Sequence, residues 1–474
     1  MTVAAAELTA GSTPTADSTL ADERAVADAR WATRFVPGLA ALAAAGALFR
    51  LVFVLIARDD YYVWGDALFY HGSANLVADG IGWLNPLDYE AGLHAEAADH
   101  PPLYIAYLAL WSWLGVTSPL GHILVSCALG VTTIVVLGLA GRRIAGPRVG
   151  LVAAALALVY PNVWSHDTMI LSETVAILTV ALFTLTVYRF RDQPSFALAG
   201  VCGVLLGLMA MSRAELLLLS LIVIVPVMLG RTLVPLARRV AWIAVAAAAA
   251  VATLAPWVLH NLSRFEEPVY LSAGFEITLS TATCDLTYYG EFTGYWNMQC
   301  PIAVLDEKGL TRANSDQSER SEVLLDETLS YISENRGRVP AVVAARVGRI
   351  AGLYRPLQQA RLDVFPEGRD KWIAYSGAAM WYPLAGLAIA GAVILRRRRI
   401  PIYPLVAPFA VVLVVVVTTF ATNRYRASAE GSLCLLAAVA VVALSDAVGR
   451  VRATPDATVP EQRLPTTATL AGSS

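Results

Sequence analysis

The sequence predicts an all-α polytopic membrane protein with about ten transmembrane helices. Three observations lead there. Of 474 residues, 57% are hydrophobic and only 15% are charged, far from the balance of a soluble domain. Apolar runs recur at close to the ~20 residues that a spanning helix needs. The positive charge is almost all arginine, with Lys308 and Lys371 the only lysines, and it gathers in short loops between the runs. The net charge of −2 gives no sign of a nucleic-acid partner; the expected partner is the bilayer itself.

Residues 1–36 come first, rich in Ala, Thr, Ser and acids. They bury too little surface to offset chain entropy, so a disordered cytoplasmic tail is expected. The tail lacks the basic start of a secretory signal, so the first apolar helix is expected to be retained. Then the membrane domain, residues 37–450, begins. Its expected spans are Pro37–Ala57, Pro119–Ala140, Arg148–Trp164, Thr174–Tyr188, Phe196–Ser212, Leu216–Gly230, Val240–Leu259, Trp372–Leu395, Ile402–Phe420 and Gly431–Val448. Residues 451–474 are expected to form a second disordered tail.

Arginine placement orients these spans. Arg142, Arg143 and Arg148 share one short loop, Arg189 and Arg191 another, and Arg231, Arg238 and Arg239 a third. The run Arg396–Arg399 and the pair Arg450 and Arg452 complete the set. All fall on one side together with both termini, and the positive-inside rule makes that side cytoplasmic. The segment "PPLYIAYLALWSWLG" is too short to span, and counting it would reverse the later loops. It is read as a helix at the outer interface, with Trp and Tyr at headgroup depth. Two larger loops, about 58–118 and 261–371, then remain outside.

Two stretches of the first outer loop carry chemistry. In "GDALFYH", Gly65 turns the chain out of the membrane and Asp66 starts a short helix that shares a face with Tyr70 and Ser73. An acid beside lipid is costly unless used or paired; the plainer alternative is that Asp66 caps the helix. In "ADHPPLY", two prolines hold His100 rigidly at the start of the interfacial helix, although Pro at a helix start is also ordinary.

An outside acid after the first span, followed by "HPPL", resembles the integral-membrane C-type glycosyltransferases, including their protein O-mannosyltransferase and aminoarabinose-transferase branches. Further matches follow in order. "SHDTMILSE" (165–173) resembles the family's second acidic outer loop, and "MSRAELLLL" an arginine-bearing span end. "APWVLHNLSRFEEPVYLSAGFEITLSTATC" resembles a "PW..RN....G.PV.IS" segment, and "NRYR" (423–426) the arginine motif before the last helix. Two positions depart from the pattern: many members carry Asp-Glu where this chain has Asp66-Ala67, and the family's Arg-Asn is His260-Asn261 here.

The resemblance implies transfer of a sugar, with inversion, from a polyprenyl phosphate to a hydroxyl acceptor on the extracytoplasmic face. It implies Asp66 as the general base. The departing phosphate needs donors or cations fixed at headgroup depth, and Arg213, Arg424 and Arg426 lie outside against the topogenic bias. Pairing of Arg426 with Glu430, or Arg213 with Glu215, is the alternative for those cations. Tyr70, His100, Asp167 and Glu173 complete the expected substrate-binding set. Arg50, inside the first span, is expected to snorkel outward without a catalytic role.

No metal-ligand spacing, P-loop or dinucleotide motif occurs, so no cofactor is expected, the lipid-linked sugar being a substrate. Cys284 and Cys300 flank "DLTYYGEFTGYWNMQ" in the second outer loop, where an oxidising compartment favours a disulfide. A secondary transporter and a non-catalytic lipid-binding scaffold are the rival classes; the former predicts inverted repeats, and none is evident.

Overall fold

A computed structural model describes residues 16–57, 64–366 and 368–453. Among these residues the regular structure is helical, as lipid demands of a chain that must satisfy its own backbone. Six helices are long and apolar enough to cross a membrane: Arg30–Ile56, Pro119–Ala145, Glu173–Asp192, Leu236–Leu262, Lys371–Arg397 and Asn423–Gly449. Three of the remaining expected spans are shorter or irregular. Phe196–Ser212 and Tyr403–Thr418 have fewer residues than the longest spans, and Ala214–Leu229 is pieced together from a 3-10 turn, a π turn and Val225–Leu229. Pro226 lies in that last piece, where its missing N–H leaves the backbone ladder one bond short.

The expected straight span Arg148–Trp164 is instead two helices, Pro147–Val159 and Pro161–Asp167, bent by 62°. The cause is local. A residue before proline is pushed out of the helical region, and Tyr160 is extended, with ψ 115°. The break turns Ser165, His166 and Asp167 into the protein interior, where all three are buried.

The N-terminal helix also differs from expectation. It runs Ala16–Val52, so residues 16–36 are helical instead of disordered. Ala, Leu, Glu and Arg in "ADSTLADERAVADARWA" are strong helix formers, and the stretch continues directly into the span. Residues 1–15 and 454–474, the rest of the expected tails, lie outside the described residues.

Two cores join the spans. Phe35, Leu137, Ala153, Leu384 and Leu433 belong to one, uniting the first span with Pro119–Ala145, Pro147–Val159, Lys371–Arg397 and the last helix. Phe183, Leu206, Met209, Trp242 and Val411 belong to the other. Glu173–Asp192 contributes to both and is the most enclosed of the six spans, and its first residue, Glu173, is buried at one end of the bundle.

At that end the short apolar segment is the helix Leu103–Trp113. It packs beside Asp66–Ala78, where Tyr70, Tyr104 and Leu108 share a core with Ile123 of Pro119–Ala145 and Trp164 of Pro161–Asp167. The second outer loop is also helical. Gln317–Glu334 begins with a capping box, in which Asp316 Oδ1 accepts from the Glu319 N–H and Glu319 Oε2 accepts from the Asp316 N–H, both at 2.8 Å. Cys284 and Cys300 form a disulfide with their Cα atoms 5.7 Å apart.

Candidate active site

Gly65 has φ 56°, a conformation that glycine adopts without steric cost, and the chain turns there into the helix whose first residue is Asp66. The carboxylate is 35% exposed, open enough to meet a substrate. Arg424 Nη2 donates to its Oδ2 at 2.8 Å, and His100 Nε2 lies 3.5 Å from its Oδ1. Proline follows His100 twice before the helix Leu103–Trp113 begins, and the imidazole rests on Tyr70 with ring centroids 4.8 Å apart.

Arg424 is a bridge. Its Nε donates to Glu173 Oε1 at 2.7 Å while its Nη2 holds Asp66. Glu173 is fully buried, and its Oε1 also accepts from Arg213 Nη1 at 3.0 Å. Arg213 in turn donates through Nε to Glu215 at 2.7 Å. The result is a chain, Asp66–Arg424–Glu173–Arg213–Glu215, that ties four separate stretches of sequence into one charged layer. Burial opposes ionisation of Asp66, but Arg424 and then His100 outweigh it and hold its carboxyl well below the usual carboxylate range. Burial likewise works against a cation on His100, and Asp66 outweighs it, so the imidazole titrates above its ordinary value. Asp66 is thus an ionised carboxylate at neutral pH.

Tyr70 is buried, and its hydroxyl donates to Ser172 Oγ at 3.0 Å. The contact links the Asp66 helix to the residue before Glu173. Asp167 also differs from expectation. It is buried and takes Arg50 Nε at 2.9 Å and Arg50 Nη2 on its Oδ2. Arg50 therefore does not snorkel; a guanidinium inside a span is cheaper to pair than to drag outward. Gly130 permits this, because a Cβ there would collide with the Asp167 carboxylate.

Arg426, also expected at the substrate, is buried. It donates to the Ile350 carbonyl at 3.0 Å, lies 3.4 Å from Glu430 and stacks over Trp381 at 4.1 Å. Of the two arginines in "NRYR", the first faces the cluster and the second builds the bundle.

Sequence reasoning missed His166 and Arg369, a buried pair beside the cluster. Arg369 precedes the Lys371–Arg397 span in the loop expected to lie outside, so the expectation that singled out Arg213 applied to it equally. At the expected Arg-Asn position, His260 is exposed, and Arg264 takes Asn261 Oδ1 at 2.9 Å, Ala97 O at 2.8 Å and Trp83 O at 3.0 Å. In the disulfide loop, Tyr288 and Tyr295 are buried and so serve packing.

A cleft of 310 Å³ opens between residues 267–276 and the helix Gln317–Glu334, lined by Tyr270, Ser272, Ser321 and three carboxylates, Glu267, Glu276 and Glu322. It adjoins the charged layer, since the Ala273 N–H donates to the Ala98 carbonyl at 2.8 Å, two residues before His100. Among the described residues, no group of three or more His, Cys, Asp or Glu side chains is placed to hold a metal ion.

Residues 99–260 match the sequence model of the dolichyl-phosphate-mannose-protein mannosyltransferase family. No curated protein sequence matches the chain. The fold is similar to archaeal oligosaccharyltransferase AglB from Archaeoglobus fulgidus, solved in complex with an inhibitory peptide and a dolichol-phosphate. That likeness has a TM-score of 0.50 at 13% identity, over 88% of this chain and 51% of AglB; the chain spans about half the length of that relative. A looser likeness, TM-score 0.43 at 14% identity, covers 90% of this chain and 81% of ArnT from Cupriavidus metallidurans, solved bound to undecaprenyl phosphate. The chain thus has a fold like that of the archaeal oligosaccharyltransferase, and its residues 99–260 match the dolichyl-phosphate-mannose-protein mannosyltransferase family model.

Proposed function

We propose that this membrane glycosyltransferase moves a sugar from a polyprenyl-phosphate donor to a hydroxyl acceptor on the extracytoplasmic face, with inversion. The observation that carries the reading is Arg424, which joins a substrate-accessible carboxylate, Asp66, to the buried Glu173 at the outer end of the bundle. An acid kept ionised by a neighbouring cation supports this reading, in which the lipid-linked sugar presents its anomeric carbon at headgroup depth.

In the reaction, an Asp66 carboxylate oxygen accepts the proton of the acceptor hydroxyl. The hydroxyl oxygen forms a bond to the anomeric carbon as the carbon–oxygen bond to phosphate breaks, and the electron pair leaves with the polyprenyl phosphate. Asp66 is a weak base when ion-paired, but the hydroxyl grows more acidic as its oxygen bonds to carbon, so a permanently ionised carboxylate suffices. Arg424 and Arg213 supply positive field toward the departing phosphate. The scheme calls on no metal or other cofactor. The carboxylate-lined cleft beside Ala98 is on the acceptor's side in this reading, since its charge repels a phosphate. Both termini and the arginine-rich loops are cytoplasmic in it.

The test is a membrane assay with a panel of radiolabelled polyprenyl-phosphate sugars. Transfer of label from at least one donor to an acceptor hydroxyl of a glycan, lipid or protein is expected; a chain that transports label without forming a new glycosidic bond contradicts the reading.

A further inference from the structure

Two histidines lie outside the charged layer, and their hydrogen bonds run in one direction. His71 Nδ1 and His122 Nδ1 are 3.0 Å apart. A nitrogen pair that close holds one hydrogen, so one ring donates and the other accepts. The Thr117 carbonyl decides which. It can only accept, and Asn75 Nδ2 donates to it at 3.1 Å, which orients the amide and turns its Oδ1 to Ser112. Ser112 Oγ gives its one hydrogen to that Oδ1 at 2.7 Å. Toward His122 Nε2, 2.9 Å away, the hydroxyl therefore accepts. His122 carries its hydrogen on Nε2 and leaves Nδ1 bare, so His71 Nδ1 is the donor. The bare His71 Nε2 faces Asn75 Nδ2 at 3.5 Å and closes a ring from Asn75 to His71, His122, Ser112 and back. The reverse arrangement, with His122 charged, would set His71 Nε2–H against the Asn75 N–H. Both imidazoles are neutral in this ring.

The ring ties three elements together. His71 and Asn75 belong to the helix Asp66–Ala78, Ser112 stands near the end of Leu103–Trp113, and His122 near the start of Pro119–Ala145. The first two helices run side by side in the same direction. Asp66 meets His100 at their starts, Tyr70 meets Tyr104 with ring centroids 5.2 Å apart, and Asn75 meets Ser112 at the far ends. Sliding of one helix along the other would carry Asp66 off His100 and Arg424, and the ring opposes it. Charges on the surrounding elements are engaged elsewhere or exposed. Asp88 pairs with Arg312, Asp79 and Glu90 are exposed, and Leu103–Trp113 has no charged residue. Arg142 and Arg143 lie in the last turn of Pro119–Ala145, and Tyr104 and Tyr107 bond to Ser126 and the Val125 carbonyl. Burial pushes the His71 imidazole below its ordinary value, and an added proton lands on Nε2, against the Asn75 N–H. The neutral ring is complete above the ordinary histidine pKa and opens as pH falls through the lowered one.

We propose that His71, His122, Ser112 and Asn75 are positioning residues for Asp66: their neutral hydrogen-bond ring fixes the register of the Asp66 helix against the helix that follows His100, and protonation of the ring releases it. The four act through the helix and not on the carboxylate. Their effect on transfer rests on the reading of Asp66 as the base; their hold on the Asp66–His100 contact does not. Asp66 stays ionised far below neutral pH, and His100 titrates above its ordinary value. An acid limb of turnover below the ordinary histidine pKa therefore belongs to the ring.

The experiment is a pH titration of the full chain in detergent by NMR of isotopically labelled histidine, with turnover measured on the same samples. The proteins are wild type, H71Q, H122Q, H71Q/H122Q and S112A. At alkaline pH, wild type is expected to show His71 with its hydrogen on Nδ1 and His122 with its hydrogen on Nε2. S112A is expected to bring the His100 pKa back toward its ordinary value and to lower kcat about tenfold, with KM for the donor within about threefold of wild type. Wild-type kcat should fall on the acid side together with protonation of His71, and H71Q/H122Q should lack that limb. The opposite tautomers, or a charged ring at alkaline pH, overturn the ring itself. An unchanged His100 pKa in S112A, or an acid limb kept by the double variant, overturns the positioning role. If S112A unfolds, H122Q reads out the same two quantities. A wild-type chain that transfers no polyprenyl-phosphate sugar overturns the transfer reading, and the tautomers and the His100 pKa still decide the ring.

Discussion

Glu173→Gln tests the charged layer at its centre. Glu173 is fully buried, and its Oε1 takes Arg424 at 2.7 Å and Arg213 at 3.0 Å. The substitution keeps size and one carbonyl acceptor but removes the charge. A hydrogen bond to a charged group is worth about 1.5–3 kcal/mol against about 1 for a neutral pair. Two weakened bonds therefore cost about 1–4 kcal/mol. The loss is not larger because each arginine keeps a second carboxylate, Asp66 or Glu215. The effect on turnover is expected to exceed the effect on stability. Arg424 no longer has an anchor on its inner side, so Asp66 shifts, and displacement of a catalytic group by about 1 Å costs on the order of 100-fold. Purified protein is assayed by thermal unfolding and by sugar transfer, alone and in a cycle with Arg213→Gln. Coupled residues give a double variant less damaged than the sum of the singles. Wild-type turnover in Glu173→Gln, or strict additivity in the cycle, refutes the idea of one connected layer.

Other consequences follow from the same geometry. Arg50→Ala strands the buried Asp167 and should lower stability by about 3–5 kcal/mol, with Arg50→Met/Asp167→Leu recovering much of it; equal unfolding of wild type and Arg50→Ala speaks against the pair. His100 has its pKa raised by Asp66, so its pair stabilises fully below the ordinary histidine pKa and fades as pH rises through the elevated one. The stability difference between wild type and His100→Gln should shrink over that rise, and a pH-independent difference excludes the ionic contact. Alkylation without reductant should leave Cys284 and Cys300 unmodified in mass spectra, and two labelled thiols would disprove the bond.

Much of this was legible in sequence because lipid makes charge conspicuous. Asp66, His100, Glu173, Arg213 and Arg424 stood out as polar groups at the outer edge, and the structure gathers all five. Their connectivity was not legible. Arg424 and Glu173 lie 251 residues apart, and Arg50 and Asp167 lie 117 apart. Which side chains meet depends on the rotation of each helix about its axis, a property of packing and not of local pattern. The two arginines of "NRYR" show this most directly. One enters the cluster and the other goes to Ile350 and Trp381, a choice made by the 3-10 turn Asn423–Arg426. Helical residues 16–36 were misjudged because low apolar content was weighed above helix propensity. The break at Tyr160 had a local cause in Pro161, but burial of His166 beside Arg369 follows only from the bend that it produces.

The most direct measurement is turnover of Asp66→Asn with whichever polyprenyl-phosphate sugar the wild type uses, alongside binding of the same donor. Asparagine keeps size and hydrogen bonding but cannot accept the acceptor's proton. The account predicts undiminished insertion into the membrane, donor binding within a few-fold of wild type and transfer reduced by about 10²–10⁴-fold. Near-wild-type transfer by Asp66→Asn with a verified donor would show that the base lies elsewhere.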